Sequence, residues 1–325
     1  MGVLVTVVVV GFVAREFDWH AVQATLSQAD LRYLALAMAA MLLNIALKTR
    51  RWQWLLHPQS GHVRWRDLLC ALLVGQLGNV LLPTRLGDVM RMGVAHKMVE
   101  VPLSWALVTI VAEKALDSVM LILLLGVLLP SVAWPAWVGT TQVIYTAVLA
   151  GGLVLVSWLA TQGRVRQRVV QTLRRMRLGP IPGWTERILQ SLGAWQAVRE
   201  TPLQVRLWAW SVAIWFLAGL VNYFGFRAVA LQVPFTAGLL LAATEVAGTR
   251  LAYTPAAIGV YHSIAILTLA LFGVEAAAAL SAALLLHVVV YLPILIGGLA
   301  GVWLAGVDLK LAATDMEGVQ DEGTG

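Results

Sequence analysis

Residues 276–304 run AAAALSAALLLHVVVYLPILIGGLAGVWL, a stretch as long as a bilayer is thick that contains no Asp, Glu, Lys or Arg. A helix crosses the hydrocarbon core with about 20 mostly apolar residues, so this segment needs lipid as its solvent. Residues 31–47, 103–129, 138–160 and 207–230 are further spanning candidates. Only 12% of the chain is charged, against about 25% in a soluble domain. These features predict an all-α polytopic membrane protein. The 14 tryptophans fit, because Trp collects where membrane meets water; Trp52, Trp54, Trp134, Trp137, Trp208 and Trp210 each flank a hydrophobic run.

The ends and the remaining composition narrow the class. Residues 2–14 are apolar and uncharged and read as a short first helix; the alternative is a cleaved signal peptide, which the missing basic n-region disfavours. Cys70 is the one cysteine, so neither an internal disulfide nor a cysteine metal cluster is expected. The net charge of +6 is read as orientation and lipid-surface contact rather than nucleic-acid binding, since most arginines sit between spans. No cofactor or metal site is expected.

Loop charges set the topology. Loop 48–67 carries Lys48, Arg50, Arg51, Arg64 and Arg66 against Asp67, and loop 161–206 carries nine arginines against Glu186 and Glu200. Both are expected on the cytoplasmic side of the cell membrane. Loop 130–137 has no charge, and loop 15–30 has Arg15 against Glu16, Asp18 and Asp30; both read as outside. Segments 68–82, 103–129 and 138–160 separate the two cytoplasmic loops. Two crossings keep those loops together and three do not, so 68–82 is expected to enter and return.

The stretch NVLLPTRLGDVMRM, residues 79–92, breaks this apolar pattern with a proline, a glycine and three charges. LPTRLG (82–87) is echoed by TPAAIG (254–259), both containing P-x-x-[LI]-G. Proline suits a helix start, where its missing N–H is not needed, and Thr254 before Pro255 suits an N-cap. Each motif therefore reads as a broken membrane helix whose second part begins at the proline. One break per half points to an inverted-repeat transporter with its site at the breaks; chance recurrence of ordinary proline kinks is the alternative. The expected organisation is a first half, 1–160, with a hairpin at 68–98, and an Arg-rich connection at 161–206. A second half, 207–310, with a re-entrant segment at 235–272, and a polar tail, 311–325, complete it. The total is six or seven full spans plus two re-entrant hairpins.

The charges inside these segments are the candidate site. Arg85, Asp88 and Arg91 form an i, i+3, i+6 stripe, and Glu113 and Asp117 share a helix face beside Lys114. Glu245 and Arg250 precede the second break, and His262 and His287 lie in the last apolar segments. The breaks themselves are Pro83 with Gly87 and Pro255 with Gly259. A charge at mid-bilayer costs roughly 2.5–3.5 kcal/mol, so six unpaired charges in the first half would cost on the order of 15–20 kcal/mol, more than the whole stability of a typical domain. They must pair or line a wet cavity. Pairing alone would make them a lock between helices. Arg85 and Arg91, at a helix N-terminus, are also placed to hold an anion such as a phosphate.

Much of the chain resembles the transmembrane region of lysylphosphatidylglycerol synthases and the flippase-like membrane proteins built on that region alone. The motifs run from RRWQWLL (50–56) through PTRLGD (83–88) with Arg91, EKALD (113–117) and PAAIGVYH (255–262) to HVVVYLP (287–293). Asp88 and Lys114 replace the family's Glu and Arg; His262 stands where its pattern has Glu, and His287 where it has Arg. The resemblance implies movement of an anionic phospholipid, or of a polyprenyl- or hopanoid-type lipid, with its head group sliding along a polar seam. Arg85, Arg91 and Arg250 would hold the phosphate, and the acidic groups and histidines would line or relay along the seam. One alternative is a non-transporting scaffold for a lipid-modifying or glycosyltransferase enzyme. The other is an aminoacyl-phospholipid synthase, but no soluble catalytic domain is expected here and no nucleophile–base set, metal cluster or P-loop is visible. If the histidines take the places of the family's acid and base, they should face each other inside the protein. Imidazole titrates near roughly 6.5 and two imidazolium ions repel, so acid sensitivity between roughly pH 5 and 7 is expected.

Overall fold

The computed structural model describes residues 23, 27–60, 63–81, 86–128, 201–251 and 255–306. The candidate spans 2–14 and 138–160, the connection at 161–200, the tail, and Pro83, Thr84, Arg85 and Thr254 lie outside the described residues. Eight α-helices make up the described part: α1 Leu31–Ser60, α2 Trp65–Leu81, α3 Gly87–Val99, α4 Leu103–Leu128, α5 Thr201–Ala228, α6 Phe235–Leu251, α7 Val260–Ala270 and α8 Ala276–Ala305. A 3₁₀ turn, Pro255–Ala257, joins α6 to α7.

Helices α1, α5 and α8 are long and apolar enough to cross a membrane. Helix α4 has the length, but Glu113, Lys114 and Asp117 interrupt its apolarity. The arms of the two hairpins are shorter. At about 1.5 Å per residue, α3 with 13 residues and α7 with 11 fall well short of a hydrocarbon core of about 30 Å.

The first hairpin closes because small residues let its arms touch. A Cβ on Gly87 would lie 1.9 Å from the Gly75 carbonyl oxygen, and one on Gly78 would lie 2.8 Å from the Gly87 Cα. The Asn79 side chain accepts the Gly87 N–H at 3.1 Å, satisfying a donor that a helix start leaves open. The second hairpin turns through Ala256 and Ala257, at φ 52° and 53°, and Gly259 at φ 85°. These left-handed angles end the helical path, and Gly259 is the residue best able to adopt one. The sequence reading put both helix starts at the prolines. A 3₁₀ turn does begin at Pro255 and leads to regular helix from Val260, while α3 is described from Gly87, with Pro83 outside the described residues.

Contacts give the helix directions. Asn44 of α1 donates to the Ile214 carbonyl of α5, while Asp30 N–H reaches the Ala228 carbonyl, so α1 and α5 are antiparallel. Helix α4 is antiparallel to α1, α6 to α5, and α8 to α2, where Gly297, Gly298 and Gly301 meet Leu73, Leu77, Val74 and Cys70. Among the described residues each half thus has a long helix, a hairpin and a long helix, and every described element of the second half opposes its counterpart in the first. The last long helix of each half also packs on the other half's hairpin, α4 on α6 and α8 on α2. The described helices form an inverted repeat.

Two loop boundaries need correction. The segment 48–67 is mostly helix, since α1 continues to Ser60 and α2 starts at Trp65. Lys48, Arg50 and Arg51 are therefore helical residues. The segment 161–206 likewise loses its last six residues to α5. Charge marks where polar surroundings begin, and a helix continues past that point when its cations find partners.

Candidate functional site

The first polar cluster lies where α1, α3, α4 and α5 meet. Arg51 of α1 is fully buried. Its Nη1 donates to Asp117 Oδ1 at 2.7 Å and to Ser211 Oγ at 3.0 Å, and its Nη2 lies 3.7 Å from Glu113 Oε1. The Ser211 hydroxyl in turn donates a hydrogen bond to the Leu207 carbonyl. Arg91 of α3, also buried, donates from Nη2 to Glu113 Oε2 at 2.8 Å and lies 3.7 Å over the Trp52 ring. Trp52 is fixed by donating to Thr109 Oγ1 at 3.0 Å. Glu113 thus bridges two guanidinium groups, one from each side. A cation over an indole face gains further attraction where water is excluded.

Asp88 and Lys114 extend this ladder outward with a 3.3 Å pair that is 35% and 46% exposed. Lys48 adds a half-buried cation near Asp117 on the α1 face. The expected residues Asp88, Arg91, Glu113, Lys114 and Asp117 therefore come together. Arg51, Trp52 and Ser211 join them and were not among the candidates. Helical spacing carries the signal for Arg51: continuing 31–47 as helix puts Asn44, Lys48, Arg51 and Leu55 on one stripe. Reading the basic run as a loop hid it.

The second cluster is built by α6, α7 and α8. The rings of His262 and His287 stack at 5.1 Å between centroids and 17° between planes. Tyr261 stands edge-on to both, at 5.6 and 5.3 Å, and Tyr291 stacks on His287 at 4.2 Å. The Tyr261 hydroxyl faces the Glu245 carboxylate without closing a regular hydrogen bond. His262 Nδ1 accepts the Gly259 N–H at 3.4 Å, which ties the imidazole to the start of α7. The sequence argument expected the two histidines to face each other, and their rings stack face to face. Tyr261 was not among the candidates, and its one signal in the sequence is its place beside His262.

The two clusters belong to facing hairpins. The 3₁₀ turn of the second break packs against α2, the arm leading into the first break. Arg85 and Pro83 are outside the described residues, as are the side chains of Arg250 and Pro255. Among the described residues no group of three His, Cys, Asp or Glu is placed to hold a metal ion.

A search of curated proteins gives no match. A family model for the lysylphosphatidylglycerol synthase transmembrane region matches residues 1–298. The inverted helical repeat, the two broken segments and a match over most of the chain together assign this multi-pass membrane protein to the lysylphosphatidylglycerol synthase transmembrane region family.

Proposed function

We propose that the protein moves an anionic lipid, or a lipid-linked head group, across the cell membrane along the polar seam between its two broken helices. The supporting observation is the inverted repeat of the described helices, with the short second arms α3 and α7 and the second break seated on the arm that enters the first. Broken helices at the centre of inverted repeats present helix ends and polar groups to a substrate at mid-bilayer.

Arg91 already has Glu113 and Trp52 as partners. We therefore assign the phosphate to Arg85 and Arg250, with Arg91 as a positioning residue that holds α3 against α4. A phospholipid with a single negative charge, or a polyprenyl- or hopanoid-type lipid phosphate, presents the required chemistry. Its tails would stay in the bilayer while the head group follows the seam.

Reconstitution into liposomes carrying a head-group-labelled phosphatidylglycerol tests this reading. An impermeant quencher should reach inner-leaflet label in wild-type vesicles. Arg85→Ala should lose that signal while keeping wild-type thermal stability. Equal loss of folding in Arg85→Ala would favour a lock between helices, and no transfer by the wild type would favour the scaffold alternative.

A further inference from the structure

The second cluster has a chemistry that the phosphate-binding role does not use. Glu245 Oε1, the Tyr261 hydroxyl, His262 Nε2 and His287 Nδ1 are buried polar atoms without a hydrogen-bond partner in the protein. They come from three helices around one pair of stacked rings. An anion is a poor occupant, because no described Lys or Arg faces the cluster. A metal ion is also a poor one, because no three ligating side chains are suitably placed among the described residues.

The surrounding elements add little charge. Helix α2 presents the neutral Gln76 on the face shared by Leu69, Leu72, Leu73 and Val80. Helix α5 meets α6 through Asn222 and Tyr223, the latter packed on Phe235. Helix α4 meets α6 through Met120, Leu121 and Leu124, while its Glu113, Lys114 and Asp117 are engaged with α1 and α3. The titratable groups facing the stack among the described residues are therefore Glu245, Tyr261 and Tyr291.

We propose that the Glu245–Tyr261–His262–His287 cluster is a proton-binding site that controls the second helix break. Because His262 Nδ1 accepts the Gly259 N–H, the neutral ring carries its hydrogen on Nε2. A proton arriving from water forms a new N–H bond with the Nδ1 lone pair. The Gly259 N–H···Nδ1 bond is then lost, and Gly259 keeps its N–H without that acceptor. The new cation also sits at the N-terminus of α7, where the helix dipole opposes it, and 5.1 Å from the His287 ring. Both effects loosen the first turn of α7.

The proposal concerns the same seam as the transport reading and rests on it for its role in a cycle, but its test needs no transport. Full-length protein in phosphatidylglycerol-containing nanodiscs would be followed by amide hydrogen exchange over 255–265, corrected for intrinsic rates. Protonation should speed wild-type exchange in the first turn of α7 about fivefold between pH 7.5 and pH 5, the factor expected for loss of one cap. His262→Gln should remain protected at both pH values, because Gln at this position can accept the N-cap N–H without titrating. His262→Ala should be unprotected at both. Equal wild-type protection at both pH values would overturn the proposal, as would a pH response in His262→Gln as large as in the wild type. A pH-sensitive cap in a protein that moves no lipid supports the proton site and removes only the transport reading. Lipid movement with a pH-blind cap does the reverse.

Discussion

Replacing Glu113 with alanine removes the carboxylate shared by two buried guanidinium groups. Arg51 keeps Asp117 at 2.7 Å and Ser211 at 3.0 Å. Arg91 keeps only the face of Trp52, since Glu113 is its one ion-pair partner among the described residues. A buried charge that loses its partner costs about 3–5 kcal/mol, and the Trp52 face offsets roughly 1–2 kcal/mol of that. The half-exposed Asp88–Lys114 pair sits on the neighbouring position of the same two helices, where an ion pair contributes about 0–1 kcal/mol. Glu113→Ala should therefore lower stability by about 2 kcal/mol more than Lys114→Ala. Reversible unfolding in mixed micelles, followed by tryptophan fluorescence, measures the difference, since Trp52 and Trp105 are buried at this junction. Adding Arg91→Met to Glu113→Ala should recover part of the loss, because the orphaned charge is gone. Equal costs for Glu113→Ala and Lys114→Ala, or a double variant whose losses simply add, would refute the argument that Glu113 is the centre of the ladder.

Two further outcomes follow from the hairpins. Cysteines introduced at Gly61 and Glu100 should label from the same side of sealed vesicles, because α2 and α3 form a short antiparallel pair; labelling from opposite sides would contradict a non-crossing hairpin. Gly87→Ala should strongly reduce the yield of folded protein, because its Cβ would meet the Gly75 carbonyl oxygen at 1.9 Å, whereas Gly93→Ala, with open space around its Cβ, should be neutral in thermal unfolding.

The parts of the fold that follow from solvation were legible in the sequence. The uncharged run 276–304 and the interrupted run 103–129 correspond to α8 and α4 almost residue for residue, because lipid leaves a helix no choice of partner for its backbone. The proline–glycine motifs located both breaks for the same reason: they punctuate runs that otherwise continue. What the sequence concealed depends on tertiary contact. Arg51 reads as the edge of a basic loop until Asp117 and Ser211, far along the chain, are brought to it. The Gly75–Gly87 approach that closes the first hairpin is likewise invisible until the two arms are packed. His262 and His287 stand out as polar residues in the last apolar segments, yet their stacking and the Gly259 bond come from the turn of the second hairpin, which no local propensity encodes.

The most direct test of the account is a structure in nanodiscs that contain phosphatidylglycerol, read at the first break. The account predicts a lipid phosphate within hydrogen-bond distance of Arg85, its tails leaving the seam between the two hairpins toward the bilayer. Arg85 paired instead with a protein carboxylate, in a seam closed to lipid and with phospholipid only on the outer faces of α1, α5 and α8, would contradict it.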